Sequence, residues 1–183
     1  MIEPTTSEPT LLLIDLQRDY FPGGRHPLVD PDAAAGAAAS VLAAHRQRGG
    51  AVVHVRHESE RGFLEAGTPG AEIDARVAPS EGEAVVVKRA PNAFVDTGLD
   101  ELLRSVGGTR LVVAGMMTSM CVDATVRAAA DLGYDVTVVA DACAAPDLEF
   151  GGVRVPGASV HAAFLAALGS AYARVVPSSE LLA

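Results

Sequence analysis

The 183-residue chain is short of basic residues and of long apolar runs. It has 14 lysines and arginines against 23 aspartates and glutamates, which gives a formal net charge of −9. A chain with this balance lacks the basic patches that bind nucleic acid or anionic membrane surfaces. No apolar run approaches the roughly 20 residues of a membrane span. These shortages argue against a nucleic-acid-binding or membrane protein, and the acidity itself favours solubility.

Cysteine is also scarce, because Cys121 and Cys143 are the two thiols of the chain. Two cysteines are too few for the disulfide framework of a small secreted domain. Residues 1–9 are polar and acidic, unlike a secretory or transit peptide. We therefore expect a cytoplasmic protein. The length is sufficient for a substantial core, so we treat residues 1–183 as one domain.

Apolar strands and helices alternate along the chain. Short apolar runs predict strands at residues 10–14, 51–55, 84–87, 110–115, 135–140 and 172–176. Helices are predicted at about residues 31–48, 97–106, 121–133 and 159–168. Irregular stretches cover residues 19–31, 56–82 and 143–157. This order predicts an α/β fold, a Rossmann-like three-layer αβα arrangement with a central, mostly parallel six-stranded sheet.

Three polar residues follow predicted strands. Asp15 follows the first strand, Lys88 the third and Cys121 the fourth. Active sites of such sheets lie outside the carboxyl ends of the strands, so the three side chains are expected at one edge. A carboxylate, an amine and a thiol can form a nucleophile with its base and a supporting cation. Each also has an ordinary structural alternative: a turn-capping aspartate, a solvated lysine and a small core cysteine.

The position of Cys121 suggests an activated thiol. It lies where a predicted strand turns into a predicted helix, and backbone N–H groups at such a junction are unpaired. The helix dipole also favours negative charge there. We therefore expect a lowered pKa for Cys121 and a nucleophilic thiolate.

Similarity to a known family covers residues 11–176. The segments LIDLQRDYF (13–21), VKR with NAF (87–89 and 92–94) and VAGMMTSMCV (113–122) occur in this order. They resemble the opening, lysine and nucleophile segments of the isochorismatase-like cysteine hydrolases. The three motifs stand at the ends of the three strands identified above, so the resemblance and the strand pattern agree.

The resemblance implies a role for each motif residue. Cys121 would be the nucleophile that forms a thioester-type intermediate, and Asp15 would carry the thiol proton to the leaving group. Lys88 would support the negative charge of this pair. The family also has a non-proline cis peptide, here Met116–Met117, and an oxyanion hole of backbone N–H groups, here those of Met117 and Cys121. Family members commonly form closed oligomers, so we expect a homo-oligomer.

A metal site of the nicotinamidase type is not expected. Nicotinamidases of this superfamily bind a metal through aspartate and histidine after the second strand, and Arg56 stands about where the aspartate would be. A zinc site needs several suitable ligands. We therefore predict no metal and no other cofactor. His57 and Glu58 remain candidates either for the pocket wall or for an exposed loop.

Four further residues are predicted to bind the substrate. We expect Phe21, Asn92, Phe94 and Phe150 to line the pocket, with ordinary core packing as an equal alternative for Phe21 and Phe94. Residues 143–157 are interpreted as a lid, because residues 147–156 are longer than a plain connection and resemble a subset of the cysteine hydrolases that includes the streptothricin hydrolases, which open a lactam. Structural roles are expected for the two remaining candidates of this region, Cys143 and His161.

The resemblance therefore implies hydrolysis of a C–N bond in a small amide or lactam, since true isochorismatases lack the cysteine that is present here. Two alternatives stay open. One is a nicotinamidase-like or carbamoyl-amide hydrolase. The other is a non-catalytic sensor or binding protein with a reactive thiol, which the presence of Asp15 and Lys88 disfavours because a sensor needs no proton shuttle.

Overall fold

A single six-stranded sheet organises the molecule. The computed structural model describes residues 8–106 and 108–182, so most of the N-terminal segment used above lies outside the described residues. The strands are β1 (Thr10–Ile14), β2 (Val52–His57), β3 (Ala84–Lys88), β4 (Arg110–Met116), β5 (Asp135–Ala144), β6 (Leu148–Phe150), β7 (Val153–Val155) and β8 (Arg174–Val176). The main sheet has the order β3-β2-β1-β4-β5-β8, and β6 pairs with β7 in a separate ribbon.

Helices cover both faces of this sheet. They are α1 (Pro31–Gln47), α2 (Leu99–Val106), α3 (Asp123–Asp131), α4 (Gly157–Ala171) and α5 (Ser179–Leu182). Short 3-10 turns occur at Arg18–Tyr20, Pro69–Ala71 and Ala75–Val77. Within the described residues, none of the helices combines the length and apolarity that crossing a bilayer requires.

The strand residues alternate between two cores. Leu11 and Leu13 belong to a buried cluster that includes residues of α1, whereas Leu12 and Ile14 belong to a second cluster with residues of α2, α3 and α4. Every pairing in the main sheet is parallel. The predicted three-layer α/β fold with a six-stranded sheet is therefore confirmed.

Three element boundaries differ from the prediction. Strand β2 continues to His57, because residues 56 and 57 pair with Val87 and Lys88 of β3. Strand β5 continues to Ala144 rather than ending at Ala140, so Cys143 lies inside it and pairs with Gly115. The stretch 143–157, predicted to be irregular, contains the β6–β7 ribbon. Each of these differences depends on pairing with another strand, and the apolar pattern of one segment does not show such pairing.

Smaller shifts occur at the helix ends. Helix α2 begins at Leu99, two residues after Thr97, and the Thr97 Oγ1 accepts a hydrogen bond from the Leu99 N–H at 3.3 Å. Helix α4 is longer than predicted at both ends, and β8 is accordingly shorter. These changes leave the order of elements as predicted.

Strands β1 and β4 approach each other closely at Gly115. This residue has a φ of +148°, and a Cβ placed on it would lie 2.0 Å from the Ile14 carbonyl oxygen. Ile14 immediately precedes Asp15, so the close approach fixes the spacing of the two strand ends that carry Asp15 and the Cys121 segment. Glycine is required here both for its backbone conformation and for the missing Cβ.

We expect Gly115→Ala to lower the free energy of unfolding by more than about 4 kcal/mol, because the new methyl group overlaps backbone that cannot move aside. Urea unfolding measures the change. The matched control is Gly36→Ala in α1, where a Cβ meets nothing within 4 Å. That change should stabilise the protein by about 0.5–1 kcal/mol. Equal effects of the two substitutions would contradict this account.

Candidate active site

The three predicted catalytic residues meet at the carboxyl edge of the sheet. The Lys88 Nζ lies 2.7 Å from the Asp15 Oδ2 and 3.2 Å from the Cys121 Sγ. The side chains of Asp15 and Lys88 are completely buried, and Cys121 is 5% exposed. A carboxylate, an ammonium and a thiol are thus held together in a site that is largely shielded from solvent.

The backbone turns sharply at Asp15. This residue has a φ of 50°, in the left-handed region that aspartate tolerates better than most residues with a side chain. The Gln17 N–H donates to the Asp15 carbonyl at 2.8 Å, and the Asp15 N–H donates to the Val55 carbonyl at 2.9 Å. The end of β1 is therefore tied both to β2 and to the following turn, which holds the carboxylate in position.

Cys121 lies in a π-helical turn, Thr118–Val122, between β4 and α3. The Met116–Met117 peptide before this turn is cis. The N–H groups of Met120 and Val122 both donate to the Met117 carbonyl, at 3.0 and 3.2 Å. The α-helix predicted to start near Cys121 starts two residues later, at Asp123. Single π-helical turns are frequent at functional sites.

The Lys88 ammonium contacts four groups of the site. Besides Asp15 and Cys121, its Nζ contacts the Ala90 carbonyl oxygen and the His57 Nδ1, both at 3.0 Å. A buried ammonium is costly unless it is paired and hydrogen-bonded. These four partners surround the charge and fix the ammonium between the acid and the thiol.

Two site residues were not assigned a role from the sequence. His57, left open above as a pocket or surface residue, ends β2 and stands beside Lys88. The Gln17 side chain accepts a hydrogen bond from the His57 N–H and donates to the His57 carbonyl, both at 2.8 Å. Strand-end position would have identified His57 if β2 had been predicted to its full length. Gln17 lies within the first motif, but periodicity does not show that its amide reaches another strand.

Burial controls the pKa values of the acid and the thiol. Desolvation raises the pKa of Asp15, although the Lys88 ammonium acts in the opposite direction. Desolvation, followed by the nearby Asp15 charge, raises the pKa of Cys121 to about 12. The expectation of a lowered Cys121 pKa was therefore wrong. The helix-terminus effect is outweighed because the thiol is buried next to a carboxylate.

One positive charge in this site balances one negative charge. The Lys88 Nζ contacts both the Asp15 carboxylate and the Cys121 thiol, so it can stabilise a negative charge on either group. Although Nζ is near Oδ2, neither Asp15 oxygen has a well-aligned hydrogen-bond partner among the described residues. A buried carboxylate with unused lone pairs is a suitable acceptor for the thiol proton. Asp15 can thus act as the base that the raised Cys121 pKa requires.

Ligand atoms of Asp15, His57 and Cys121 lie within 4.8 Å of one another, a spacing that could suit a metal ion. The Lys88 ammonium already contacts all three residues. A divalent cation in the same place would face this ammonium in a dry site, where repulsion between like charges is strong. These three donor residues therefore fit the lysine ammonium as their cation. Arg56, which stands about where nicotinamidases have a metal-binding aspartate, pairs with Glu58.

The predicted pocket residues are not gathered at one wall. Phe21 belongs to the core on the α1 side, with the Arg76 guanidinium 4.8 Å from its ring centre. Phe94 packs on the opposite face of the sheet, 6.1 Å from the ring of Tyr134. Asn92 accepts a hydrogen bond from the Phe94 N–H at 2.9 Å. Phe150 is 88% exposed. Roles in substrate binding stay a prediction for all four.

His161 and Cys143 line a different space. They border a cavity of about 200 Å³ between the start of α1, the end of β5 and the start of α4. The His161 Nδ1 lies 2.9 Å from the Thr118 Oγ1, which connects α4 to the π-helical turn. Burial raises the pKa of Cys143 to about 12, so this thiol is protonated at neutral pH.

Comparison with known proteins identifies a family. Residues 9–176 match the Isochorismatase domain. YddQ, an uncharacterised isochorismatase family protein of Bacillus subtilis, is 45% identical over 175 residues, covering 94% of this chain and 97% of that protein. A solved structure of a candidate isochorismatase hydrolase from Oleispira antarctica has a TM-score of 0.93 and 50% identity, covering 97% of this chain and 98% of that one. The expected family resemblance is confirmed.

Two further relatives have names that state an enzymatic activity. A streptothricin hydrolase of Streptomyces noursei is 38% identical over 141 residues, which is 75% of this chain and 50% of that protein. A maleamate amidohydrolase of Pseudomonas putida is 34% identical over 150 residues, which is 72% of this chain and 70% of that protein. Both are described as hydrolases.

Replacing Lys88 with methionine tests how much the burial of an unpaired Asp15 carboxylate lowers the free energy of unfolding. We expect Lys88→Met to lower the free energy of unfolding at neutral pH by about 3–5 kcal/mol, because an unpaired carboxylate remains in the core. Burial raises the Asp15 pKa above its ordinary 3.8, so the folded carboxyl binds a proton more tightly than the unfolded one. Its contribution to stability therefore falls as pH rises above that value.

The loss in Lys88→Met should shrink as the pH is lowered, because protonation of Asp15 removes the unpaired charge. Urea unfolding at mildly acidic and mildly alkaline pH measures this difference. Arg18→Met is the control, since the Arg18–Glu72 pair is more than half exposed at both residues, and it should change stability by less than about 1 kcal/mol at either pH. A pH-independent loss in Lys88→Met would count against an uncompensated Asp15.

Proposed function

The chain belongs to the isochorismatase family, and on that premise we propose that it is a cysteine hydrolase that cleaves the C–N bond of a small amide or lactam. The observation that carries this proposal is the Lys88 ammonium, which contacts both a buried carboxylate and a buried thiol. The hydrolase relatives named above support the class of reaction. The catalytic group is Asp15, Lys88 and Cys121.

The first half of the reaction forms a thioester. Asp15 takes the proton of the Cys121 thiol, and the thiolate attacks the carbonyl carbon of the substrate. The carbonyl oxygen becomes an oxyanion, which we assign to the backbone N–H groups of Met117 and Cys121. Asp15 then gives its proton to the leaving nitrogen, the C–N bond breaks, and ammonia or an amine departs. A lactam retains that amine in the same molecule.

The second half restores the thiol. Asp15, again a carboxylate, takes a proton from water, and the resulting hydroxide attacks the thioester carbon. The C–S bond breaks as the carbonyl re-forms, and the proton returns from Asp15 to the Cys121 sulfur. The negative charge passes between Asp15 and the Cys121 sulfur, and both positions lie beside the Lys88 Nζ. No step needs a metal or a redox partner.

A thiol sensor fits the site less well. Reactive sensor cysteines have low pKa values and accessible sulfur atoms. Cys121 has the opposite properties, because it is 95% buried and its pKa is raised to about 12. A thiol of this kind needs a nearby base before it can react, and Asp15 is in place to act as that base. The geometry thus favours catalysis over sensing.

We assign the role of a lid to residues 143–157 within one domain of residues 1–183. Strands β6 and β7 pair so that Leu148 faces Val155 and Phe150 faces Val153. Directly opposed residues lie on one side of a ribbon, so these four side chains form one apolar face. Phe150 is 88% and Val153 64% exposed. Closure of this face over a bound substrate would cover it and give Phe150 a partner.

The base of this lid is held firmly. The Asp147 Oδ1 accepts a hydrogen bond from the Gly157 N–H, and its Oδ2 pairs with the Arg154 guanidinium, both at 2.7 Å. The two ends of the ribbon are thereby joined where it leaves β5 and enters α4. Movement of the lid would then be a rotation of the ribbon about this junction.

The cytoplasmic location and the homo-oligomer are also parts of this proposal. Cys121 and Cys143 are both free thiols, which suits a reducing compartment.

Loss of the nucleophile should abolish turnover. We expect Cys121→Ala to reduce the release of ammonia or amine from small amides and lactams by at least about a thousand-fold, because no thioester forms. Cys143→Ala is the matched control, since it removes the other buried thiol, and it should keep the activity of the parent. Mass spectrometry of the parent should detect an acyl adduct on Cys121. Full activity in Cys121→Ala would sink the proposal.

The lid assignment has its own test. We expect Phe150→Ser to raise the KM for an active amide by about five- to ten-fold, since an apolar wall is lost, while the alkylation rate of Cys121 by a small reagent stays unchanged. Glu149→Gln, on the other face of the ribbon, should leave both quantities as they are. An unaltered KM in Phe150→Ser would show that Phe150 does not cover the substrate.

A further inference from the structure

The Lys88 ammonium has more acceptors than hydrogens. Its Nζ contacts the Asp15 Oδ2 at 2.7 Å, the His57 Nδ1 and the Ala90 carbonyl at 3.0 Å, and the Cys121 Sγ at 3.2 Å. An ammonium group has three N–H bonds and no acceptor. One of the four contacts must therefore lack a hydrogen at any moment, and the protonation state of the site decides which one.

In the resting state the proton is on the thiol. Asp15 is then a carboxylate, and a small rotation of the ammonium would direct one N–H of Lys88 to its Oδ2, which lies 2.7 Å away, while His57 and Ala90 take the other two. The Cys121 thiol is itself a donor and needs no hydrogen from the ammonium. All three N–H bonds are satisfied by good acceptors.

After proton transfer the thiolate needs a hydrogen bond. The N–H that pointed to Asp15 can turn to the Cys121 sulfur, and the protonated Asp15 no longer requires it. His57 and Ala90 keep their two N–H bonds. All three N–H bonds of Lys88 again have acceptors. One N–H has therefore turned from the Asp15 oxygen to the Cys121 sulfur, together with the negative charge.

We propose that His57 is a positioning residue that controls where the shared proton of Asp15 and Cys121 resides, by occupying one N–H of Lys88 in both states. This role rests on the proposed catalytic function of the same site. His57 does not touch the reacting carbon, and it acts through the lysine.

The structure equips His57 for this role. Its backbone N–H and carbonyl are both held at 2.8 Å by the Gln17 side chain, which is fully buried. Burial and the neighbouring Lys88 charge lower the pKa of His57 to about 4. The imidazole is therefore neutral at neutral pH, and a ring nitrogen that accepts from an ammonium leaves the ring proton on Nε2. A fixed, neutral acceptor is what this position requires.

Removal of the His57 acceptor should favour the thiolate. In the resting state the third N–H of Lys88 would face only a thiol sulfur, which is a weak acceptor. In the thiolate state the same N–H would find an oxygen of the protonated Asp15. The resting state alone loses a good hydrogen bond, so the proton should shift from Cys121 towards Asp15.

The test compares thiolate content in a Cys143→Ala background, where Cys121 is the sole thiol. His57→Phe keeps a flat ring but has no nitrogen acceptor, and His57→Asn keeps an acceptor near the Nδ1 position. At neutral pH we expect His57→Phe to raise the rate of alkylation by iodoacetamide by roughly five-fold, the effect of about one hydrogen bond, and to move the pH profile of that rate to lower pH. His57→Asn should restore the values of the parent.

Controls separate this role from simple destabilisation. His54→Leu removes another buried imidazole of β2, one that binds Glu83 at 2.9 Å, and it should lower stability without changing the thiolate signal. If His57→Phe does not fold, His57→Leu serves in its place. An alkylation rate that rises by the same factor at every pH would reflect access alone and would overturn the inference, as would an unchanged pH profile.

Amide turnover of the Cys143→Ala parent is measured in parallel. Turnover by the parent together with an unaltered thiolate signal in His57→Phe would refute the role of His57 and leave the proposed hydrolase intact. Absence of turnover on every amide and lactam, with the thiolate shift observed, would refute the hydrolase and retain the control of the proton by His57. The thiolate measurement needs no substrate, so the two failures are distinct.

Discussion

The contact between one ammonium and two acidic groups in a dry site is the constraint on which the rest of this structure depends. Lys88 is stable in the core because Asp15 balances its charge and because backbone and imidazole acceptors surround it. The same burial that makes the pair costly raises the pKa values of Asp15 and Cys121. A proton that neither group releases readily to solvent can be exchanged between them, and this exchange is the chemistry we propose.

The loops around the site are fixed by residues of the first motif. Asp19 is buried, and its carboxylate accepts hydrogen bonds from the N–H groups of Leu64 at 2.7 Å and Arg25 at 3.1 Å. A Cβ at Gly70 would lie 2.3 Å from an Asp19 oxygen, so glycine permits this loop to approach. Gln17 performs the corresponding function for the end of β2. Polar residues after β1 therefore serve two purposes, since Asp15 faces the chemistry while its neighbours secure the surrounding backbone.

Much of this arrangement could be predicted from local patterns. Apolar runs located the six strands of the main sheet, and the motif residues at three strand ends indicated the site. Errors arose where the outcome depended on distant residues. Strand β2 reaches His57 because β3 pairs with it, and β5 reaches Ala144 because it follows β4 past a register shift. The Cys121 pKa was predicted in the wrong direction, since a strand–helix junction is visible in sequence whereas desolvation by distant side chains is not.

By itself, the sequence determined the order of strands and helices, the parallel α/β class and the placement of Asp15, Lys88 and Cys121 at strand ends. Periodicity and short motifs are local properties, so they can be identified without knowledge of contacts. Tertiary structure alone decided that His57 joins Lys88, that Gln17 holds His57 and that Phe21 and Phe94 pack on opposite faces of the sheet. These features depend on which distant segments meet and how much water they exclude, and both are set only when the whole chain packs.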